Sequence, residues 1–295
     1  GTILRAGKVI ENFTPSKTTS AQIAELMVGK KVKPTVKHKS YSENEILNVK
    51  NLSVQSKTPF GTNLKNISFR ITEGEILGIG GVAGSGQDEL LLTLTGETKV
   101  KKNTLLYKNK DIGNLSPQAR REIGLLTAPE ERLGHAAAPE MNLIENCLIT
   151  AKKNRGLVER GWINFSKTAQ FANNIMDTFD VRADNSSSLA KTLSGGNLQK
   201  FLIGRELSQD PDLIIVNQPT WGVDASAAQF IRQALLDLVS RGTAAIIISQ
   251  DLDELIEISD KFTALVNGAI SKPKLTSKLT VSEIGIMLST QNMPR

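Results

Sequence analysis

The stretch Leu193-Ser194-Gly195-Gly196-Asn197-Leu198-Gln199-Lys200 decides how the rest of the chain is read. A serine and two adjacent glycines precede a run with helical spacing. Adjacent glycines let backbone approach a ligand closely, and the free N–H groups of a helix start attract an anion. An ordinary loop before an ordinary helix would also fit these residues. Two further stretches narrow the choice. About 110 residues upstream, the short apolar run Glu75 to Gly80 enters Gly81-Val82-Ala83-Gly84-Ser85-Gly86-Gln87-Asp88. Just downstream, Leu213-Ile214-Ile215-Val216 runs into Asn217-Gln218-Pro219-Thr220.

Between these landmarks, apolar runs alternate with helical patterns. Strands are expected at Ile46–Leu52, Leu64–Ile71, Glu75–Gly80, Ile123–Thr127, Leu213–Val216 and Ala244–Ser249. Helices are expected at Asp88–Thr95, Gly196–Ser208 and Asp224–Arg241. Buried runs of this length, separated by helices, predict a mostly parallel α/β sheet. Residues 130–195 interrupt the alternation with helices only, among them Asn142–Lys152 and Ser166–Phe179.

Composition bounds the remaining classes. A chain of 295 residues can bury one or two full cores. No apolar run approaches bilayer length, and Gly1 is followed at once by strand-like residues rather than a signal-peptide pattern. A single cysteine, Cys147, excludes an internal disulfide framework, and His38 and His135 lie far apart with no cysteines nearby. The net charge of +6 is spread out, with Lys30 to Lys39 the densest basic stretch. No aromatic residues interleave there, so the stretch reads as a solvated linker and not as a nucleic-acid surface.

The two ends repeat one another. Thr2-Ile3-Leu4-Arg5-Ala6-Gly7-Lys8-Val9-Ile10 reads like Thr263 to Ile270, and Thr19 to Met27 like Thr280 to Leu288. Both pairs are 261 positions apart. A constant offset implies that the chain begins inside the tail of an earlier copy of its own domain. The expected organisation is therefore a tail over 1–29, a linker over 30–44 and a second domain over 45–295, with a helical subdomain about 130–195.

The glycine turn, the Leu-Ser-Gly-Gly stretch and the strand ending before Pro-Thr, in this order, resemble the nucleotide-binding domain of ABC transporters, here the second domain of a tandem carbohydrate-uptake-class importer ATPase. The resemblance implies a P-loop NTPase-type fold with an antiparallel β subdomain and a helical insertion. It implies ATP and Mg²⁺ as ligands. Gly81 to Asp88 would line the domain's own phosphate site. Leu193 to Asn197, with Ser194, Gly195 and Gly196 at its centre, would be the signature that acts on ATP held by a partner domain. Asp224, in Trp221-Gly222-Val223-Asp224, would sit in the loop at the domain–domain interface, and Glu130 near the segment that meets the membrane subunit.

Against that pattern the chain departs at the chemical positions. Gln87 replaces the phosphate-binding lysine and Asp88 the hydroxyl that holds Mg²⁺. Asn217 and Gln218 replace the carboxylates for metal and attacking water, and Gln250 replaces a histidine that senses the γ-phosphate. Ser56 stands where an adenine-stacking aromatic belongs, with Phe60 as the nearest substitute. A charge-assisted hydrogen bond contributes about 1.5–3 kcal/mol, so the lost lysine alone implies triphosphate binding weaker by one to two decades. Only Asp88 and Asn217 remain as metal ligands at this site, and weak ones. The expected protein has a degenerate ATP site and an intact signature. Its implied partners are the first domain of the same polypeptide, two transmembrane permease subunits and, indirectly, an extracellular or periplasmic substrate-binding protein. Its implied place is the cytoplasmic face of the bacterial cell membrane, with no role for nucleic acid. Gln87 together with Gln218-Pro219-Thr220 favours the nucleoside-linked branch over sugar uptake, and a riboflavin importer lies near that branch. A regulatory pseudo-ATPase and a soluble, non-transport ABC ATPase remain as alternatives.

Overall fold

The structure, a computed structural model, describes residues 1–5, 8–14, 18 and 42–289. At the start of the chain β1 (Thr2–Arg5) and β2 (Lys8–Asn12) form an antiparallel hairpin. The repeated stretch Thr19 to Met27 and nearly all of the linker lie outside the described residues.

Two sheets build the main body. β3 (Glu45–Val54), β4 (Leu64–Thr72), β6 (Leu105–Tyr107) and β7 (Lys110–Asp111) form an antiparallel sheet in the order β4-β3-β6-β7. The second sheet contains β5 (Ile76–Gly80), β8 (Leu125–Ala128), β11 (Leu213–Asn217), β12 (Ala244–Ser249) and β13 (Lys261–Val266). Its order is β13-β5-β12-β11-β8, and every one of these neighbours is parallel. Two short antiparallel strands, β14 (Ala269–Ile270) and β15 (Lys274–Leu275), pair with β13.

The parallel strands are buried on both faces, and side-chain alternation divides the core in two. Along β11, Ile214 and Val216 join Phe201, Leu235 and Cys147 on the helical side. Leu213 and Ile215 join Ile67, Leu52 and Leu90 on the side of the antiparallel sheet. The helix Gln87–Thr95 supplies Leu90, Leu91 and Leu94 to that second cluster. The phosphate-loop helix is therefore wedged beside the two sheets, with its first turn at the C-terminal end of β5. Fully burying each such leucine contributes about 1.5–3 kcal/mol, which fixes this helix from beneath.

Several expected boundaries shift for local reasons. β8 begins at Leu125, not Ile123, because Ile123 C-caps the helix Pro117–Glu122 and Gly124 turns the chain at φ 92°. The signature helix spans Gly195–Leu207, one residue earlier than read, because Ser194 is its N-cap. The 130–195 insertion is not helical throughout. Between the helices Leu143–Ala151 and Phe165–Thr178 lies a hairpin, β9 (Val158–Glu159) and β10 (Trp162–Ile163). Its two turn residues, Arg160 at φ 51° and Gly161 at φ 86°, have the left-handed backbone that a tight two-residue hairpin requires. The C-terminal helix Val281–Leu288 is held by a capping box between Thr280 and Glu283.

Candidate functional site

The loop after β5 needs its glycines. Gly84 and Gly86 have φ of 78° and 108°, and a Cβ on Gly81 would meet the Leu265 carbonyl at 2.4 Å. Gln87, the first residue of the helix, turns its side chain back into this loop. Its Nε2 donates to the Val82 carbonyl at 2.8 Å, and its Oε1 accepts the Ser85 backbone N–H at 3.0 Å. Gln87 is buried, whereas Val82, Ala83 and Gly84 are exposed. A neutral amide thus spans the loop, with one backbone donor of the nest committed to it.

The segment 55–62 closes over the same loop. The Glu89 carboxylate accepts from Ser56 Oγ at 3.0 Å and from the Thr62 N–H at 2.9 Å. Thr62 Oγ1 donates to the Gly84 carbonyl at 2.6 Å. Phe60, the expected aromatic substitute, is fully exposed. Glu89 is the residue that organises this segment; nothing in its spacing marks it beforehand.

β11 delivers Asn217 and Gln218 beside this loop. Gln218 has φ 51° and donates its N–H to Ile248 O on β12 at 2.8 Å. Its Oε1 accepts from Ser249 Oγ and from the Gln250 N–H, both at 3.3 Å. Beneath them lies Glu254, 2% exposed, whose Oε2 accepts from Ser249 Oγ at 3.1 Å. Burial pushes the Glu254 carboxyl above its ordinary range, against hydrogen bonds from Thr220 and Ser249 and the charge of Arg232. Asn217 is 2% exposed, and its Oδ1 has no hydrogen-bond partner.

At the signature, Ser194 Oγ accepts from the Asn197 N–H at 3.5 Å and from Asn197 Nδ2 at 2.9 Å. Asn197 Oδ1 accepts the Arg182 N–H at 2.9 Å, which ties the turn to the preceding loop. Ser194 and Gly195 are exposed. Arg132, which the sequence did not single out, fastens this turn. Its Nε donates to Gln199 Oε1 at 2.9 Å, and its Nη2 donates to the Trp221 carbonyl. Gln199 in turn donates to the Pro219 carbonyl at 2.9 Å. A Cβ on Gly195 would meet Arg132 Nη1 at 2.7 Å, so glycine there is a condition of the arginine's position. Asp224 N-caps the helix Ala225–Val239 by accepting the Ala227 N–H at 2.9 Å.

At its other end the signature helix is anchored by buried charge. Glu206 accepts from Arg121 at 2.6 Å and from Arg205 at 2.8 Å. Burial alone would raise this carboxyl; the two guanidinium groups hold it below the ordinary range. Arg205 also donates to the Ala136 and Asn146 carbonyls, at 2.8 and 3.2 Å.

A cleft of about 810 Å³ brings part of these stations together. Asp88, Glu130 and Asn217 line it from the phosphate-loop side, and Leu193, Gly195 and Trp221 from the signature side. Ser194, Asn197, Gln87, Gln218 and Gln250 are not among its lining residues. Asp88 and Glu130 are both raised above the ordinary carboxylate range. Partial burial is the larger cause for each; Glu89 adds to it at Asp88, and the charge of Asp88 adds to it at Glu130.

A glycine loop at the C-terminal end of a parallel strand, a second strand end beside it and a helical insertion carrying a capped Ser-Gly-Gly turn define an ATP-binding cassette architecture. The family model for ABC transporters matches residues 64–221, and the chain belongs to that family. It is 33% identical to the nucleoside import ATP-binding protein NupA of Lactococcus lactis subsp. cremoris, covering 99% of this chain and 58% of that protein. It is 33% identical to the glucose import ATP-binding protein TsgD13 of Haloferax volcanii (91% and 49% covered) and 31% identical to the guanosine import ATP-binding protein NupO of Bacillus subtilis (98% and 56%). The chain thus spans about half the length of the curated relatives it matches. In fold it is similar to a nucleotide-free ATP-binding cassette from an ABC transporter, with a TM-score of 0.64 at 24% identity over 84% of this chain and 97% of that one. A dimeric cassette bound to ADP and Pi gives a TM-score of 0.66 at 22% identity, over 78% and 99%. Among the described residues no helix is long and apolar enough to cross a membrane.

Proposed function

We propose that this chain is the second nucleotide-binding domain of a tandem importer ATPase that drives uptake of a nucleoside or a sugar. In this reading it lends its signature to ATP held by the first domain. Its own phosphate site takes no part in hydrolysis. The observation that carries the reading is the contrast between the two stations. Ser194 and Gly195 are exposed, and their turn is capped and held by Arg132, while at the phosphate loop a neutral amide occupies one backbone N–H that a phosphate would use.

The division of labour follows from chemistry. The glycine loop can still cradle an anion, but Gln87 supplies no cation, and Ser85 N–H is already bonded. Gln218 cannot take a proton from water, and its amide oxygen is turned toward Ser249 and Gln250. ATP bound here is therefore weak and inert. The N-terminus of the Gly195–Leu207 helix, with Ser194, is aimed outward, where it can stabilise charge developing on a γ-phosphate presented by another domain. Mg²⁺ at that composite site neutralises phosphate charge when bound, and the first domain supplies its ligands. The chain then acts at the cytoplasmic face of the cell membrane with two permease subunits and, through them, a substrate-binding protein. The repeated hairpin and the 261-residue offset support the tandem organisation, and the printed functions of the relatives support nucleosides and sugars as cargo.

Affinity purification of the full-length protein from its own membranes tests the reading. Two hydrophobic permease subunits should co-purify. Ribosomes or DNA in their place would move the protein to the soluble ABC class, and an assembly that transports without this domain's signature would make it a regulatory pseudo-ATPase.

A further inference from the structure

We infer that the β9–β10 hairpin is a lipid-binding wedge that enters the headgroup layer of a bilayer rich in anionic phospholipid. Three large apolar side chains stand in water within four residues of one another: Trp162, Ile163 and Phe165, with Trp162 81% and Phe165 69% exposed. They follow directly on the tight turn Arg160-Gly161. The surrounding stretch is basic. Residues 152–167 hold Lys152, Lys153, Arg155, Arg160 and Lys167 against a single acidic residue, Glu159.

The wedge is fastened at its root. Leu157 is buried in the helical-side core with Ala151 and Phe171. Its N–H donates to the Lys152 carbonyl at 2.8 Å, and its carbonyl accepts the Asn164 N–H at 2.9 Å. Asn164 then N-caps the helix Phe165–Thr178 by accepting the Lys167 N–H at 3.0 Å. Lys153, Arg155 and Lys167 pair with Glu122, Asp210 and Glu159. Arg160 at the tip and Lys152 at the root make no ion pair among the described residues, so both charges are available to an anion. Shape and composition favour lipid over a protein partner. A stable protein interface covers about 800 Å² on each side, whereas this element has strands of two residues and projects three apolar side chains from its end. Tryptophan beside arginine and lysine is the composition that seats an element at the boundary of headgroups and acyl chains. The rings settle at headgroup depth, and the cations meet the anionic phosphates.

The wedge stands on these residues and not on the transport reading, so either can fail alone. The test is co-sedimentation of the purified chain with vesicles of equal parts phosphatidylglycerol and phosphatidylcholine, and with vesicles of phosphatidylcholine alone. Binding to the anionic vesicles should be at least about tenfold tighter and should weaken as salt is added. Arg160→Glu and Trp162→Ala should each weaken it by about tenfold or more, with melting curves intact. Lys110→Glu, at an exposed lysine of the antiparallel sheet, should leave it unchanged. Trp162 and Trp221 are the two tryptophans of the chain. In a Trp221→Phe background, Trp162 emission should shift to the blue on the anionic vesicles and be quenched by bromine-labelled acyl chains. Absent sedimentation, equal weakening by Lys110→Glu, or sedimentation with Trp162 emission unchanged would overturn the wedge.

Discussion

The side-chain oxygen of Gln87 accepts the backbone N–H of Ser85 at 3.0 Å, inside the loop that both residues belong to. A phosphate oxygen would compete for that donor against a contact that is already local. Replacing Gln87 therefore has two separable effects. Gln87→Ala frees one neutral hydrogen-bonding group and should change ATP affinity less than about tenfold. Gln87→Lys adds a charge-assisted partner and should tighten ATP by roughly one to two decades. Calorimetric titration distinguishes them, and equal affinities for the lysine and alanine variants would contradict the account of this loop.

The chain by itself should hydrolyse ATP negligibly, and Gln218→Glu should not rescue it. A carboxylate at 218 restores a proton acceptor but leaves Gln87, and Gln250 with its N–H directed at residue 218, as they are. Steady-state phosphate release from the purified chain measures this. Turnover comparable to an active cassette dimer, in either form, would refute it.

Glu206 should carry a large share of the stability of the signature helix. It is fully buried between Arg121 and Arg205, and Glu206→Gln leaves two guanidinium groups without their counter-charge. Breaking such a pair costs about 3–5 kcal/mol. Its carboxyl is lowered in the fold, so the contribution is present above the unfolded pKa and is lost as pH falls through the folded one. The gap in melting temperature between the two proteins should therefore narrow in acid.

Glu254 should behave in the opposite sense. Its folded pKa lies above the unfolded value, so its stabilisation is complete at low pH and disappears as pH rises through the folded pKa. Glu254→Gln mimics the protonated form. Melting curves across pH should show this variant gaining on the parent protein from acid toward neutral pH. A gap independent of pH would mean that the carboxyl is not raised.

Much of this was legible before the fold was known. Apolar runs such as Ala244–Ser249 and Leu213–Val216 announced buried parallel strands, because both faces of each are covered and the usual alternation disappears. The glycine loop and the Ser194 cap were visible because left-handed backbone and helix starts restrict residue choice. The β9–β10 hairpin was missed, although Arg160-Gly161 between Glu159 and Trp162 is a tight-turn signal; each strand is two residues long and has no periodicity to read. β6 and β7 were missed in the same way around Lys108-Asn109, at φ 47° and 62°. The contacts of Arg132, Glu89 and Glu254 were not legible. Arg132 meets Gln199, Glu89 meets Ser56 and Glu254 meets Thr220, pairs far apart in the chain whose distances only the folded topology sets.

The most direct test of the central claim compares two substitutions in the complete transporter. Ser194→Arg places bulk and charge at the exposed signature turn; Gln87→Ala alters only the domain's own phosphate loop. Solute uptake and coupled ATP hydrolysis should be abolished by Ser194→Arg and left nearly unchanged by Gln87→Ala. Loss of uptake with Gln87→Ala and normal uptake with Ser194→Arg would contradict the account, because the working site would then be the domain's own.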